Sequence, residues 1–206
     1  METKIYKPNE IHLLANLAKA GKIIAFPTET VFGLGVVYDD EEAFNTLVKV
    51  KARKNDKPFT LMLDYTRDIE KYAVLNNKIR NLIDVFMPGE LTLILEAKPN
   101  LPKHVTLGSK YIGVRVSANY QVANLLNLIG KPLLVPSANK RDEKPALTAE
   151  EVYKMFNGEI AGILEGKTTS HIPSTIVKVS DKIELVREGS IPFNLIKEVW
   201  EEEVWK

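Results

Sequence analysis

Short apolar runs alternate along this chain with segments whose apolar residues recur every three or four positions. That interleaving limits the folds open to it. Residues 9–21 (NEIHLLANLAKAG) carry Ile11, Leu14, Leu17 and Ala18 on one stripe, with Asn9 placed as N-cap and Gly21 as the C-terminal stop. KIIAF (22–26) then reads as a buried strand. Helical spacing returns over 39–53, 76–86, 119–130, 148–156 and 191–205. Strand-like runs occupy 59–63, 91–97, 111–117, 132–136, 160–166, 174–179 and 182–188. Acids open the 39–53 helix and bases close it. Thr148 and Glu151 have capping-box spacing, and Pro192 opens the last helix. Helices and strands interleave first and strands cluster later, which predicts an α/β fold: an open sheet mixing parallel and antiparallel strands, flanked by helices. No repeat of roughly 20 to 50 residues, no low-complexity tract and no linker-like shift interrupts it, so a single domain over 1–206 is expected.

Charge adds little direction: 28 Lys and Arg against 27 Asp and Glu leave a formal +1. A nucleic-acid or membrane partner would therefore need a local patch. The absence of cysteine excludes disulfides, thiol catalysis and Cys-ligated zinc, and it fits a reducing cytosol. METKIYKPNE has no apolar h-region, and no apolar run approaches the ~20 residues that span a bilayer. A cytoplasmic protein without membrane contact is the expectation.

The information lies where polar residues break apolar strands. FPTETVFGLG (26–35) runs from a strand into Thr28, Glu29 and Thr30, followed by Gly33 and Gly35, whose lack of side chains would let backbone approach a ligand. In YIGVRVS (111–117), alternation puts Ile112, Val114 and Val116 on one face and Arg115 and Ser117 on the other. An arginine there must be solvated, paired with a carboxylate, or aimed at an anionic ligand. KVKARKNDKP (49–58) holds Lys49, Lys51, Arg53, Lys54 and Lys57 against one acid, either a solvated helix end or a phosphate clamp. VPSANKRDEKPALT (135–148) sets Ser137 and Asn139 just past a strand, as a turn serving its own backbone or as a ligand contact. IPSTIVKV and LVREGSI add Ser174 and Arg187 at strand ends. Such ends can converge on one site, because open α/β sheets bind ligands beyond them.

Other chemistries drop out. His12, His104 and His171 lie far apart and in no metal-binding spacing, and no metal site is read. Walker A, GxGxxG and GxSxG motifs are missing. Cationic and neutral donors without an evident nucleophile–base pair suit binding of a phosphate-bearing substrate and stabilisation of charge.

Taken in order, FPTETVFGLG, KAR…KP, PGELTLIL, IGVRVS, PSAN and PSTIVKV…VREGSI resemble the YrdC/TsaC/Sua5 family, the L-threonylcarbamoyladenylate synthases, over about residues 10–192. The likeness is to the short, single-domain members. It implies a twisted open sheet with a concave basic face. It also implies conversion of L-threonine, bicarbonate and ATP to threonylcarbamoyl-AMP and pyrophosphate, with Mg2+ held mainly by the ATP phosphates. That product serves t6A modification of ANN-decoding tRNAs, completed by other proteins of the pathway, and RNA or tRNA contact through the basic concavity goes with it.

Residue by residue, the resemblance puts Thr28, Thr30, Arg115, Ser137 and Ser174 on L-threonine, with Arg115 taking its carboxylate. Arg53, Lys57, Asn139, Thr148 and Arg187 fall on ATP, and Lys51 and Arg53, the K-x-R pair, become the catalytic charges. The chain departs from the family where Arg141-Asp142 replaces a Ser-Gly pair and where REG (187–189) replaces R-P-G; the next nucleotide contact falls on Leu147 or Thr148. Two alternatives are a non-catalytic RNA-binding module and a carbamoyl-adenylate-forming relative.

Overall fold

The computed structural model describes residues 2–52 and 58–202. Its strands are β1 (Lys4–Tyr6), β2 (Ile24–Pro27), β3 (Phe32–Val37), β4 (Thr60–Leu63), β5 (Leu91–Glu96), β6 (Tyr111–Val116), β7 (Leu133–Val135), β8 (Gly162–Leu164), β9 (Thr175–Val179) and β10 (Ile183–Arg187). They join one sheet in the order β1-β8-β2-β3-β7-β4-β6-β5-β9-β10. The mixture expected from the sequence is present. Strand β8 pairs in parallel with β1 and β2, β4 with β6, and β5 with β9, while the remaining neighbours are antiparallel. The helices are α1 (Ile11–Lys19), α2 (Glu41–Val50), α3 (Asn77–Phe86), α4 (Lys103–Thr106), α5 (Tyr120–Ile129), α6 (Ala149–Phe156) and α7 (Phe193–Glu201).

Alternation along the strands decides which face is packed. Leu61 and Leu63 of β4, Leu91, Leu93 and Leu95 of β5, and Ile112, Val114 and Val116 of β6 point to one side. There α2, α3, α6 and α7 cover them with Phe44, Leu47, Leu82, Phe156 and Ile196. On the other face α1 and α5 cover only the β8-β2-β3-β7 end, through Leu14, Ala18, Leu125 and Leu126 against Phe26, Leu133 and Leu164. Among the described residues that face of β4 adds only Met62 to this second cluster, and the same face of β6, β5, β9 and β10 adds nothing. A sheet covered on one side and half-covered on the other leaves part of that second face open.

Local signals mostly held, with informative exceptions. Asp40 and Asn76 cap α2 and α3 by accepting from the Ala43 and Ile79 amides. Asn9 is not an N-cap: it lies in a 3-10 turn, Pro8–Glu10, and α1 begins at Ile11. Pro8 starts that tighter turn, and the Glu10 carboxylate accepts from the Lys7 amide at 2.9 Å. The 39–53 helix is shorter than expected, and β1 and α4 were not foreseen. Gly33 and Gly35 lie inside β3 rather than in a loop. A Cβ on Gly33 would sit 2.5 Å from Val135 Cγ1, and one on Gly35 would sit 2.7 Å from the Phe26 ring. These glycines let neighbouring side chains lie flat across the strand.

Gly189 follows β10 where the chain crosses the start of β9. Its amide and that of Ile191 both donate to the buried Thr175 hydroxyl. A Cβ here would lie 2.1 Å from the Pro173 carbonyl oxygen, which is backbone and cannot turn aside. Gly189→Ala is expected to cost about 1–3 kcal/mol. At roughly 2–4 °C per kcal/mol for a chain of this size, calorimetry should show a clear fall in Tm; an unchanged Tm would refute the crossing.

Candidate functional site

The turn between β2 and β3 is built on its own hydroxyls. Thr28 Oγ1 accepts from the Thr30 and Val31 amides and donates to the Val31 carbonyl at 2.7 Å. Thr30 Oγ1 lies 3.0 Å from Thr28 Oγ1. Since the single Thr28 proton is already used, Thr30 donates in that pair. The Thr30 oxygen in turn accepts from Arg115 Nη2 at 3.0 Å. Both threonines are buried.

Arg115 stands on the open face of β6, as alternation predicted, yet it is only 6% exposed. Its Nε donates to the Gly89 carbonyl at 3.1 Å, and Nη2 donates to Glu29 Oε1 at 2.9 Å as well as to Thr30. Of the readings open for this residue, pairing with a carboxylate is therefore realised, while the side chain still lines the cavity. Beside it, Thr92 of β5 meets Ser174 hydroxyl to hydroxyl at 2.9 Å. Arg187 donates to the Ser174 carbonyl from Nη2 at 2.8 Å and from Nε at 3.3 Å.

A β-bulge delivers Arg187 to this place. Leu185 pairs with Val177, but Arg187 pairs with Ile176, so two steps along β10 match one along β9. With regular pairing of the same sequence Arg187 would fall opposite Thr175, on the parity of Leu185 and Val177. With the bulge, Arg187 shares the face of Ile176, and both line the cavity. Partial burial and then the nearby Arg115 charge hold the Arg187 guanidinium below its ordinary value. Two cations thus face one space, and Glu29 is the carboxylate that pairs with one of them.

On the other side, Lys51 follows α2 and is 4% exposed. Its ammonium donates to the Ser137 carbonyl at 2.6 Å, the Asn139 carbonyl at 2.6 Å and Asn139 Oδ1 at 2.9 Å. Ser137 Oγ also donates to Asn139 Oδ1. Ser137 bridges Gly33, and the Ala138 amide donates to the Phe32 carbonyl, so Lys51 anchors a loop stitched to β3.

These parts enclose a cavity of about 250 Å³, at the small end of ligand sites, which run roughly 300–1,000 Å³. Thr28, Thr30, Arg115, Ser137 and Ser174, the five residues read as threonine contacts, all line it. Arg187 lines it too; Lys51, Asn139 and Thr148 do not. Lys51 and Asn139 stand behind Ser137, and the Thr148 hydroxyl caps α6 by accepting from the Glu151 amide. Arg53 and Lys57 lie outside the described residues. Sequence reading passed over Thr60 and Thr92, which line the cavity from β4 and β5. Their signal was the one that exposed Arg115, a polar residue on the open parity of an apolar strand. Phe59, Met62 and Ile176 supply apolar wall.

An open mixed sheet whose uncovered face holds a small, cation-lined cavity defines an α/β protein of the strand-end ligand-binding kind. The Sua5/YciO/YrdC family model, described as telomere recombination, matches residues 16–189, and the chain belongs to that family. A threonylcarbamoyl-AMP synthase of Bacillus subtilis is 33% identical over 197 residues, covering 92% of this chain and 56% of its own. One from Buchnera aphidicola is 35% identical over 161 residues, covering 76% of this chain and 91% of its own. The structure of P. abyssi Sua5 complexed with L-threonine superposes with a TM-score of 0.91 at 29% identity, over 97% of this chain and 61% of that one. The chain therefore spans little more than half of some relatives and nearly all of others.

Lys51→Met keeps much of the side-chain stem but removes the ammonium that bridges the part-buried Ser137 and Asn139 carbonyls. The Asn139 carbonyl is left without its donor while Ser137 still accepts from the Asn139 amide, a cost of about 1–3 kcal/mol. Lower stability and faster hydrogen exchange at the Ala138 and Ala146 amides are expected. Exchange at the rate of the parent protein would show that the anchor is idle.

Proposed function

We propose that this chain makes threonylcarbamoyl-AMP and pyrophosphate from L-threonine, bicarbonate and ATP. The observation that carries the reading is the meeting of Thr28, Thr30, Arg115, Ser137 and Ser174, from distant parts of the chain, around one cavity of about 250 Å³. Relatives named for this activity and the likeness to a threonine-bound Sua5 support it.

In this reading Arg115 takes the amino-acid carboxylate, and Ser137 and Ser174 contact the threonine or carbamoyl part. Arg187, Asn139 and Thr148, with Arg53 and Lys57, fall on the nucleotide side. The free amine of threonine attacks CO2 and loses a proton to solvent, or attacks bicarbonate and releases water, and either way gives an N-carboxylate. One oxygen of that carboxylate attacks the α-phosphorus of ATP in line, and pyrophosphate leaves with the electron pair of the broken P–O bond. Arg53, with Lys51 close behind Ser137, offsets charge developing on the phosphates. Among the described residues no cluster of three or more His, Asp or Glu side chains could cage a metal. In this reading Mg2+ would enter on the triphosphate, held chiefly by its oxygens. Among the described residues no helix is long and apolar enough to cross a membrane. A cytoplasmic setting suits the three substrates, and tRNA and the proteins that complete t6A belong downstream.

The test is pyrophosphate release that needs L-threonine, bicarbonate and ATP together. A carbamoyl-adenylate-forming relative would not need threonine, and an RNA-binding module would consume no ATP while binding RNA with steep salt dependence. Arg53→Ala should lower turnover by roughly 10²-fold; near-normal release would remove Arg53 from the chemistry.

A further inference from the structure

Glu29 stands in the same turn as Thr28 and Thr30 but is absent from the cavity wall. Its carboxylate is nonetheless mostly buried, with 12% of the side chain exposed, and both oxygens are engaged. Oε1 accepts from Arg115 Nη2 at 2.9 Å, and Oε2 accepts from the Ser117 hydroxyl. Arg115 and Ser117 are two residues apart on β6 and its extension, so they share a face. One carboxylate is therefore braced at two points along the same edge of the sheet. Its backbone is fixed as well: the Glu29 carbonyl accepts from the Ser170 amide at 2.8 Å, the Thr169 amide at 3.3 Å and the Thr169 hydroxyl at 3.0 Å.

The consequence falls on Arg115. A guanidinium is a planar fork, and fixing two of its nitrogens fixes the direction of the third. Gly89 holds Nε, while Glu29 and Thr30 hold Nη2. Nη1 is left as the nitrogen with no acceptor among the described residues, on a side chain that lines the cavity. Glu29 also supplies the charge that makes a buried guanidinium affordable beside Arg187, since an uncompensated buried charge is costly and two facing cations repel.

We propose that Glu29 is a positioning residue for the threonine half of the reaction: it clamps Arg115 from behind so that one guanidinium edge is presented to the carboxylate of the amino-acid substrate. This deepens the reading above and rests on it. Glu29 does not line the cavity; it acts through Arg115.

The experiment uses the whole chain and measures pyrophosphate release against L-threonine and against ATP in separate titrations. Glu29→Gln keeps the reach and loses the charge. Its KM for L-threonine is expected to rise on the order of 10- to 100-fold, the cost of misplacing a binding group by about an ångström. Its KM for ATP should stay within about twofold, because only the threonine contact has been disturbed. Ser117→Ala leaves Glu29 charged and removes one brace, and it should raise the threonine KM by a smaller factor with the ATP KM again unmoved. Both KM values rising together would mark a merely structural role and overturn the proposal, as would a threonine KM within about twofold of the parent in both variants. If Glu29→Gln does not fold by circular dichroism, Ser117→Ala decides on the same criteria. Parent protein that releases no threonine-dependent pyrophosphate takes down the functional reading as well; an active parent with unmoved variants takes down this inference alone.

Discussion

A guanidinium lies almost wholly inside the protein at Arg115, and much of the site follows from how that charge is accommodated. Burying such an ion is tolerable only with an opposite charge and with its donors placed on acceptors. Glu29 and Thr30 come from the β2–β3 turn, and Gly89 comes from the approach to β5. Meeting the demand of one side chain thus ties the β2–β3 turn, whose strands do not pair with β6, to Gly89, whose amide already donates to Val116 of β6. The turn is then held in a shape that points Thr28 and Thr30 into the same space, and the 167–170 stretch is drawn in over the Glu29 carbonyl.

The sheet makes this possible because its two faces are unequally covered. Helices pack most of one face and only one end of the other. Strand residues on the open parity are released from core duty, so Thr60, Thr92 and Arg115 can stand where a fully sandwiched sheet would have required Val or Ile. Polar residues at these positions mark the boundary between what the α1 and α5 pair shelters and what remains for a ligand.

Much of this was legible in the order of residues. Alternation in YIGVRVS separated Arg115 from the packed face, and the interleaving of helical and strand periods announced a mixed sheet. Ser137 and Ser174 were visible as hydroxyls at the ends of apolar runs. What escaped depended on pairing across long separations. That Glu29 answers Arg115 is a contact between residues 86 positions apart, and nothing in either local pattern encodes it. Gly33 and Gly35 were read as room for a ligand; Gly33 does line the cavity, and each also makes room for a side chain on a neighbouring strand. Lys51 was read as a charge for phosphate; that its ammonium also anchors the Ser137 and Asn139 carbonyls could be known only once α2 and the 136–139 loop were side by side. The place of Asn9 was misjudged because Pro8 begins a tighter turn before the helix.

Strand β10 contributes to the cavity through parity alone. Bulged rather than regular pairing with β9 decides whether the guanidinium at its end joins the binding surface or turns away with the side chains opposite Val177. Among the described residues β9 is its only partner strand, so no further strand has to shift its register when that pairing changes. The outermost strand is therefore where a change between bulged and regular pairing can switch a functional group in or out of reach while the folded framework stays intact, giving this architecture a simple route to altered ligand preference.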